Sequence, residues 1–248
     1  MARFAAGDIV GDYSVPISLK KISNEELKSR LSAHDHWLQG NRNLEDRVDL
    51  SGLDLKGVDL SRARLAHSYL KYSDLSQAIL ISADLSHADI SHVNFEGACL
   101  SGANLTEAYA VNARMINAKF YSCRNVKYED KQVIHIGKAT LRKARMAGAL
   151  LSGVDFHQAD LSEVDLQNTK LVGTGFVGAN LSAALIQNSD LTGANLLTAN
   201  LTGTDFRGST LHKINIKMAT HTLTRRLSSL KRNSRQMLLL RFVLLLNV

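Results

Sequence analysis

From Leu50 every fifth residue is apolar as far as Phe120, and from Leu141 every fifth residue is apolar as far as Ile216. The two runs hold fifteen and sixteen centres, of which twenty are leucine and none is charged. Position i−2 from each centre is small or apolar, as at Ala78, Ala83, Ala88, Ala144, Ala149 and Ala159. Position i−1 is mostly polar, as at Asp54, Asp59, Asp74, Asp84, Asn94 and Asn104. A helix cannot bury this pattern, because five steps of about 100° turn a side chain through about 140° and scatter the centres around the cylinder. A long strand fails too, since alternation would send i+1 outward and i+2 inward without a reset.

The pattern predicts three extended residues, in-out-in, followed by a two-residue corner at i+1 and i+2. Ser, Thr, Gly and His recur at those corners, as turns require. A chain that corners every five residues and always buries the same two positions must wind about an axis. Its successive coils then stack at about 4.8 Å, the spacing of hydrogen-bonded strands. The whole is an all-β solenoid, in which each unit contacts only its neighbours.

The units Ala83-Asp84-Leu85, Ala103-Asn104-Leu105, Ala159-Asp160-Leu161 and Ala194-Asn195-Leu196 resemble those of pentapeptide-repeat proteins. The likeness covers about 170 of the 248 residues. It implies a right-handed quadrilateral β-helix with four pentapeptides per coil, about eight coils in all. Residues twenty apart would then stack, giving an all-leucine column at Leu151, Leu171, Leu191 and Leu211 and placing Phe156 next to Phe176.

Three segments break the ladder and divide the chain. The first, 1–47, contains a capping box at Ser23 and Glu26, with Ile22 and Leu27 as its hydrophobic staple. Leu27, Leu31, His34 and Leu38 share one helical face with Trp37 beside it, so a capping helix over 23–39 is expected on the first coil. His34 reads as a packed or capping histidine. The repeat body, 48–217, is interrupted near 121–133, where the phase slips by one. The slip is either a one-residue bulge or a surface loop, and a loop on a rigid scaffold is a common place for function. Tyr121, Arg124, Lys127, Tyr128 and Lys131 are its candidate interaction residues. The tail, 218–248, carries Arg225, Arg226, Lys231, Arg232 and Arg235 and then an apolar run too short to span a bilayer. It reads as a helical cap or dimerisation element, with a basic membrane-surface segment or a disordered end as the alternatives.

Charge removes one class of function. Six of the seven net positive charges reside in the tail, whose last 31 residues hold six basic side chains and no acidic one, whereas the repeat body is near neutral. Direct nucleic-acid binding along the body is therefore not expected. Two cysteines, Cys99 and Cys123, make no disulfide framework or metal spacing and read as plain reduced thiols. No signal-peptide pattern opens the chain, so a cytoplasmic location is expected.

No nucleophile elbow, phosphate-binding glycine loop or zinc-protease motif is present, so no enzyme and no cofactor is expected. The recurrent aspartates at i−1 read as solvated groups on flat walls. One polar column stands out. His67 and His87, with Glu107 next in line, could hold a divalent metal. The plainer reading is that histidine simply tolerates a corner. The leading functional expectation is a non-enzymatic scaffold presenting flat walls and one loop to a protein partner. The resemblance supplies a second, a DNA-mimicking binder of a type II topoisomerase such as DNA gyrase. The body departs from that subgroup in its near neutrality, with Arg62, Arg64, Arg114, Arg142, Lys143 and Arg145 on it. A third is a membrane-surface or effector role carried by the basic tail, and membrane contact through the tail and homodimerisation complete the set of expected partners.

Overall fold

The computed structural model describes residues 19–40, 47–120 and 136–220 of the chain. Its regular elements are β1 (Lys20–Lys21), α1 (Asn24–Leu38) and β2 (Leu53–Asp54), with β1 parallel to β2. Everything else described is a ladder of parallel bridges. Asp49 pairs with Tyr69, Asp54 with Asp74, Asp59 with Ile79 and Arg64 with Asp84, each partner twenty residues on. Four pentapeptides therefore close one coil, and the coils have four walls. Wall one begins at Asp49, wall two at Asp54, wall three at Asp59 and wall four at Arg64.

The core follows the five-residue pattern. Centres from Leu50 to Phe120 are at most 3 % exposed, and Ala78, Ala83, Ala88, Ala144 and Ala149 beside them are at most 1 % exposed. Phe156 and Phe176 stack in the wall-four column with ring centroids 5.4 Å apart and planes 4° from parallel.

Most corners are β-turns closed by an N–H to O=C bond from i+3 to the centre, as from Val58 to Leu55 (3.2 Å) and Ala63 to Leu60 (3.0 Å); at Thr169 and Ser189 the i+3 N–H goes instead to the hydroxyls of Ser189 and Ser209. Position i+2 takes positive φ while i+1 does not, the type II pattern. Glycine fills this position at only some corners; Asn112, His67 and Lys143 hold φ of 58°, 64° and 59° at others. Gly153 sits there at φ +71° with nothing within 4 Å of a notional Cβ. Gly153→Val should therefore cost about 1–2 kcal/mol from backbone strain alone, read as a lower urea midpoint. An unchanged midpoint would mean the corner relaxes.

Wall aspartates and asparagines are part of that turn, not merely solvated. Asp49, Asp74 and Asp160 accept the N–H two residues on, at 2.8, 2.8 and 3.1 Å, the local bond that makes Asx residues good turn formers. Asparagine amides also link coils: Asn94 donates to Asp74 (3.0 Å), Asn104 to Asp84 (3.1 Å) and Asn180 to Asp160 (3.0 Å). One wall-two aspartate is deeply buried. Asp205, 3 % exposed, accepts from Gln187 (2.6 Å) and from the Arg207 side chain (2.6 Å). Burial pushes its pKa up, but the Arg207 and Gln187 hydrogen bonds outweigh this and hold it below the ordinary value. A depressed folded pKa gives stability that is present above about pH 3.9 and lost as pH falls through the folded value. Asp205→Asn should flatten that acid limb of a melting-temperature profile; an identical limb would assign it to other carboxylates.

The interruption is larger than a bulge. Past it the bridge offset rises from twenty to thirty-one, as at Tyr109–Thr140, Arg114–Arg145 and Lys119–Leu150. The wall-three centre Phe120 is followed by Ile136, whose N–H bonds to Asp155 O (2.8 Å) on wall four. Eleven residues are thus inserted where a five-residue step would serve, and the one-residue-bulge reading is overturned. The candidates Tyr121, Arg124, Lys127, Tyr128 and Lys131 lie outside the described residues. So do the tail residues Arg225, Arg226, Lys231, Arg232 and Arg235. Cys99, on wall three, is disulfide-bonded, which corrects its reading as a reduced thiol; Cys123 lies outside the described residues.

Helix α1 starts at Ser23, whose hydroxyl accepts the Glu26 N–H (3.1 Å). Its buried residues are Leu27, His34 and Trp37, so Trp37 rather than Leu38 completes the inner face. The helix lies against the first coil, with His34 bonded to Val48 and Ala66 and with Arg30 donating to Asp49 O (2.8 Å).

Candidate interaction face

The twenty-residue register turns scattered aromatic positions into one surface. Tyr69 and Tyr109 are both wall-one residues, two coils apart, with Asp89 between them. Tyr72 occupies the corner after wall one. These are all the tyrosines among the described residues, and they are 38 %, 48 % and 45 % exposed for Tyr69, Tyr109 and Tyr72. The pleat forces the wall pair outward, because the residues on either side of each, Ser68 and Leu70, Ala108 and Ala110, are buried.

Imidazoles line both edges of this face. On the corner entering wall one, His67 and His87 stack with centroids 4.6 Å apart and planes 5° from parallel. His87 Nδ1 lies 3.2 Å from Glu107 Oε2, and Lys138 Nζ lies 4.0 Å from the other carboxylate oxygen. On the corner leaving wall one, Tyr72 stacks on His92 at 4.8 Å. Asn112 Nδ2 is 3.4 Å from His92 Nε2. Burial lowers the His92 pKa, and Lys71 lowers it further against the pull of Asp89.

Charges on the face are already matched. Lys71 Nζ is 3.0 Å from Asp89 Oδ2, and that hydrogen bond raises the lysine pKa. The Arg47 guanidinium lies 4.0 Å above the Tyr69 ring and 5.8 Å from the Trp37 ring, and its Nε donates to His67 O. The Lys71–Asp89 pair would enter such an interface already matched, which spares the cost of a lone buried charge there.

The metal reading of His67, His87 and Glu107 does not survive this geometry. Stacked imidazoles hold their lone pairs in parallel planes, so the two rings do not converge on one ion. Among the described residues no group of three His, Cys, Asp or Glu is arranged to hold a metal. The column is an aromatic edge instead. Sequence reasoning finds that column but misses Tyr69, Tyr72 and Tyr109. Their signal is a spacing of 20 or 40 at equivalent positions, which the implied four units per coil would have shown.

Comparison with known proteins adds the family. The pentapeptide-repeat model matches in eight copies over residues 59–97, 98–124, 139–176 and 176–216. No curated protein matches the chain. Among solved structures, the pentapeptide-repeat protein Rfr23 of the cyanobacterium Cyanothece 51142 is 24 % identical, over 48 % of this chain and 88 % of its own, with a TM-score of 0.46. HetL of Nostoc sp. strain PCC 7120, a pentapeptide-repeat protein involved in heterocyst differentiation regulation, is 29 % identical over 80 % and 96 %, with a TM-score of 0.30. A trypsin-treated form of QnrB1, a plasmid-mediated fluoroquinolone resistance protein, is 18 % identical over 66 % and 84 %, with a TM-score of 0.47.

Proposed function

We propose that this chain, which belongs to the pentapeptide-repeat family, is a scaffold that binds a protein partner through wall one. The family's fold is the right-handed quadrilateral β-helix, and its members are generally non-enzymatic structural or interaction proteins. The observation that carries the reading is the gathering of Tyr69, Tyr72 and Tyr109, half-exposed, between two imidazole edges. Tyrosine, tryptophan and arginine dominate the energetics of protein interfaces. Charge is depleted at interface centres, and here Lys71 is paired with Asp89. In this reading α1 covers the first coil, and the repeat body 48–217 is one unit.

Affinity capture with wild-type protein and with the Tyr69→Ala/Tyr109→Ala double variant tests the proposal. Loss of the captured partner by the double variant supports wall one, and full retention assigns binding elsewhere. Imitation of a DNA duplex would need a row of unpaired carboxylates. Here Glu96 is bound by Arg114 (2.6 Å) and Glu163 by Arg142 (3.1 Å). Capture of a type II topoisomerase that survives the double substitution would shift the reading to DNA mimicry.

Membrane contact would rest on the tail; among the described residues no helix is long and apolar enough to cross a membrane. Homodimerisation is read from the sedimentation of the free protein. Cytoplasmic residence is tested by cell fractionation.

A further inference from the structure

We infer that α1 is an acid-released element, held on the first coil by a histidine that can dock only when neutral. His34 is 0 % exposed. Its Nδ1 accepts the Val48 N–H at 3.2 Å, and its Nε2 lies 3.0 Å from Ala66 O. A backbone N–H can only donate and a carbonyl can only accept, so the ring carries one proton, on Nε2. A second proton at Nδ1 would face the Val48 donor. That breaks one of the two bonds to the coil, opposes two N–H groups, and leaves a cation out of water.

The surroundings do not rescue that cation. From α1, the Asp35 carboxylate favours the cation; its Oδ1 accepts no hydrogen bond among the described residues, and Arg64 NH1 lies 3.6 Å from it. From the first coil, Arg47 and Arg64 face it as like charges. The Trp37 ring stacks on His34 at 5.5 Å and 11°, and His67 meets the far side of Trp37 edge-on at 6.0 Å. Burial is the largest influence and lowers the His34 pKa; the Ala66 hydrogen bond and Asp35 act against it, and Arg47 and Arg64 add to it.

When α1 is undocked His34 titrates near about 6.5, and when docked it titrates lower. Docking is therefore full above that value and weakens as pH falls from it through the docked pKa. Release would uncover Leu27 and Trp37, which α1 buries against the first coil. Newly exposed apolar side chains invite association, so an acidic compartment would turn a covered end of the solenoid into an adhesive one. The inference is independent of what binds wall one.

Trp37 is the chain's one tryptophan, so its fluorescence reports α1 alone. Between about pH 8 and about pH 4.5, wild-type emission should shift to the red with a midpoint below about 6.5. The far-ultraviolet circular dichroism of the repeat body should hold. His34→Gln and His34→Asn, which cannot titrate, should abolish the shift, and His67→Gln should keep it. Constant wild-type emission would overturn the inference. So would a shift that survives in both His34 variants, or one removed by His67→Gln. If both His34 variants are already red-shifted at about pH 8, NMR titration of the wild-type ring decides. Coincident midpoints for His34 protonation and for loss of α1 amide protection support the inference, and separate midpoints refute it.

Discussion

Phe176→Ala is expected to destabilise the protein by about 3–5 kcal/mol. Phe176 is fully buried in the wall-four column, stacked on Phe156 and followed in the next coil by Leu196. The backbone on both sides is locked by bonds to the adjacent coils, Phe176 N–H to Asn195 O (2.7 Å) and Phe156 N–H to Gly175 O (2.7 Å). The walls therefore cannot close in on the space, and cavity cost rises when a site cannot collapse. Phe176→Leu should cost much less, under about 1.5 kcal/mol. Equilibrium urea unfolding measures both. Because repeat stability is a sum of local terms, hydrogen exchange should rise most in the coils flanking Phe176. A loss under about 1 kcal/mol for alanine would show that the coils do yield.

The second large effect concerns binding. Tyr109→Ala or Tyr69→Ala should each weaken capture of the wall-one partner, and the double variant should lose at least about thirtyfold in affinity, the scale of one interface hot spot of about 2 kcal/mol. Neither ring belongs to the core, and each is more than a third exposed, so thermal stability should change little. Loss of binding with retained melting temperature is an interface effect, whereas loss of both would be a folding effect. Leu150→Asn, on wall three across the coil, is the matched control and should leave affinity within about twofold, as non-hot-spot positions do.

Much of the architecture can be read from residues alone. Thirty-one uncharged centres at a period of five leave little other than a coil that corners every five residues, and the buried alanines at i−2 appear where expected. Ser23 and Glu26 likewise mark the start of α1. The size of the interruption is hidden for an arithmetical reason. A phase slip reports an insertion only modulo five, so eleven extra residues and one extra residue leave the same trace between Phe120 and Leu141. The role of the wall aspartates is hidden for a physical one. Their bonds run to the N–H two residues on and to asparagines twenty residues on, and the second of these contacts has no local sequence signature. The tyrosine face is less visible because Tyr69 and Tyr109 lie two coils apart on wall one, with Asp89 between them, so a search of residues twenty apart does not link them directly.

Binding through wall one is tested most directly by site-specific photo-crosslinking. A benzophenone side chain is placed at position 109 in one protein and at position 150 on the opposite wall in another, and both are irradiated with the captured partner. A wall-one interface predicts a covalent adduct from position 109 and none from position 150. An adduct from position 150 with none from 109 would contradict it and move the binding surface to wall three.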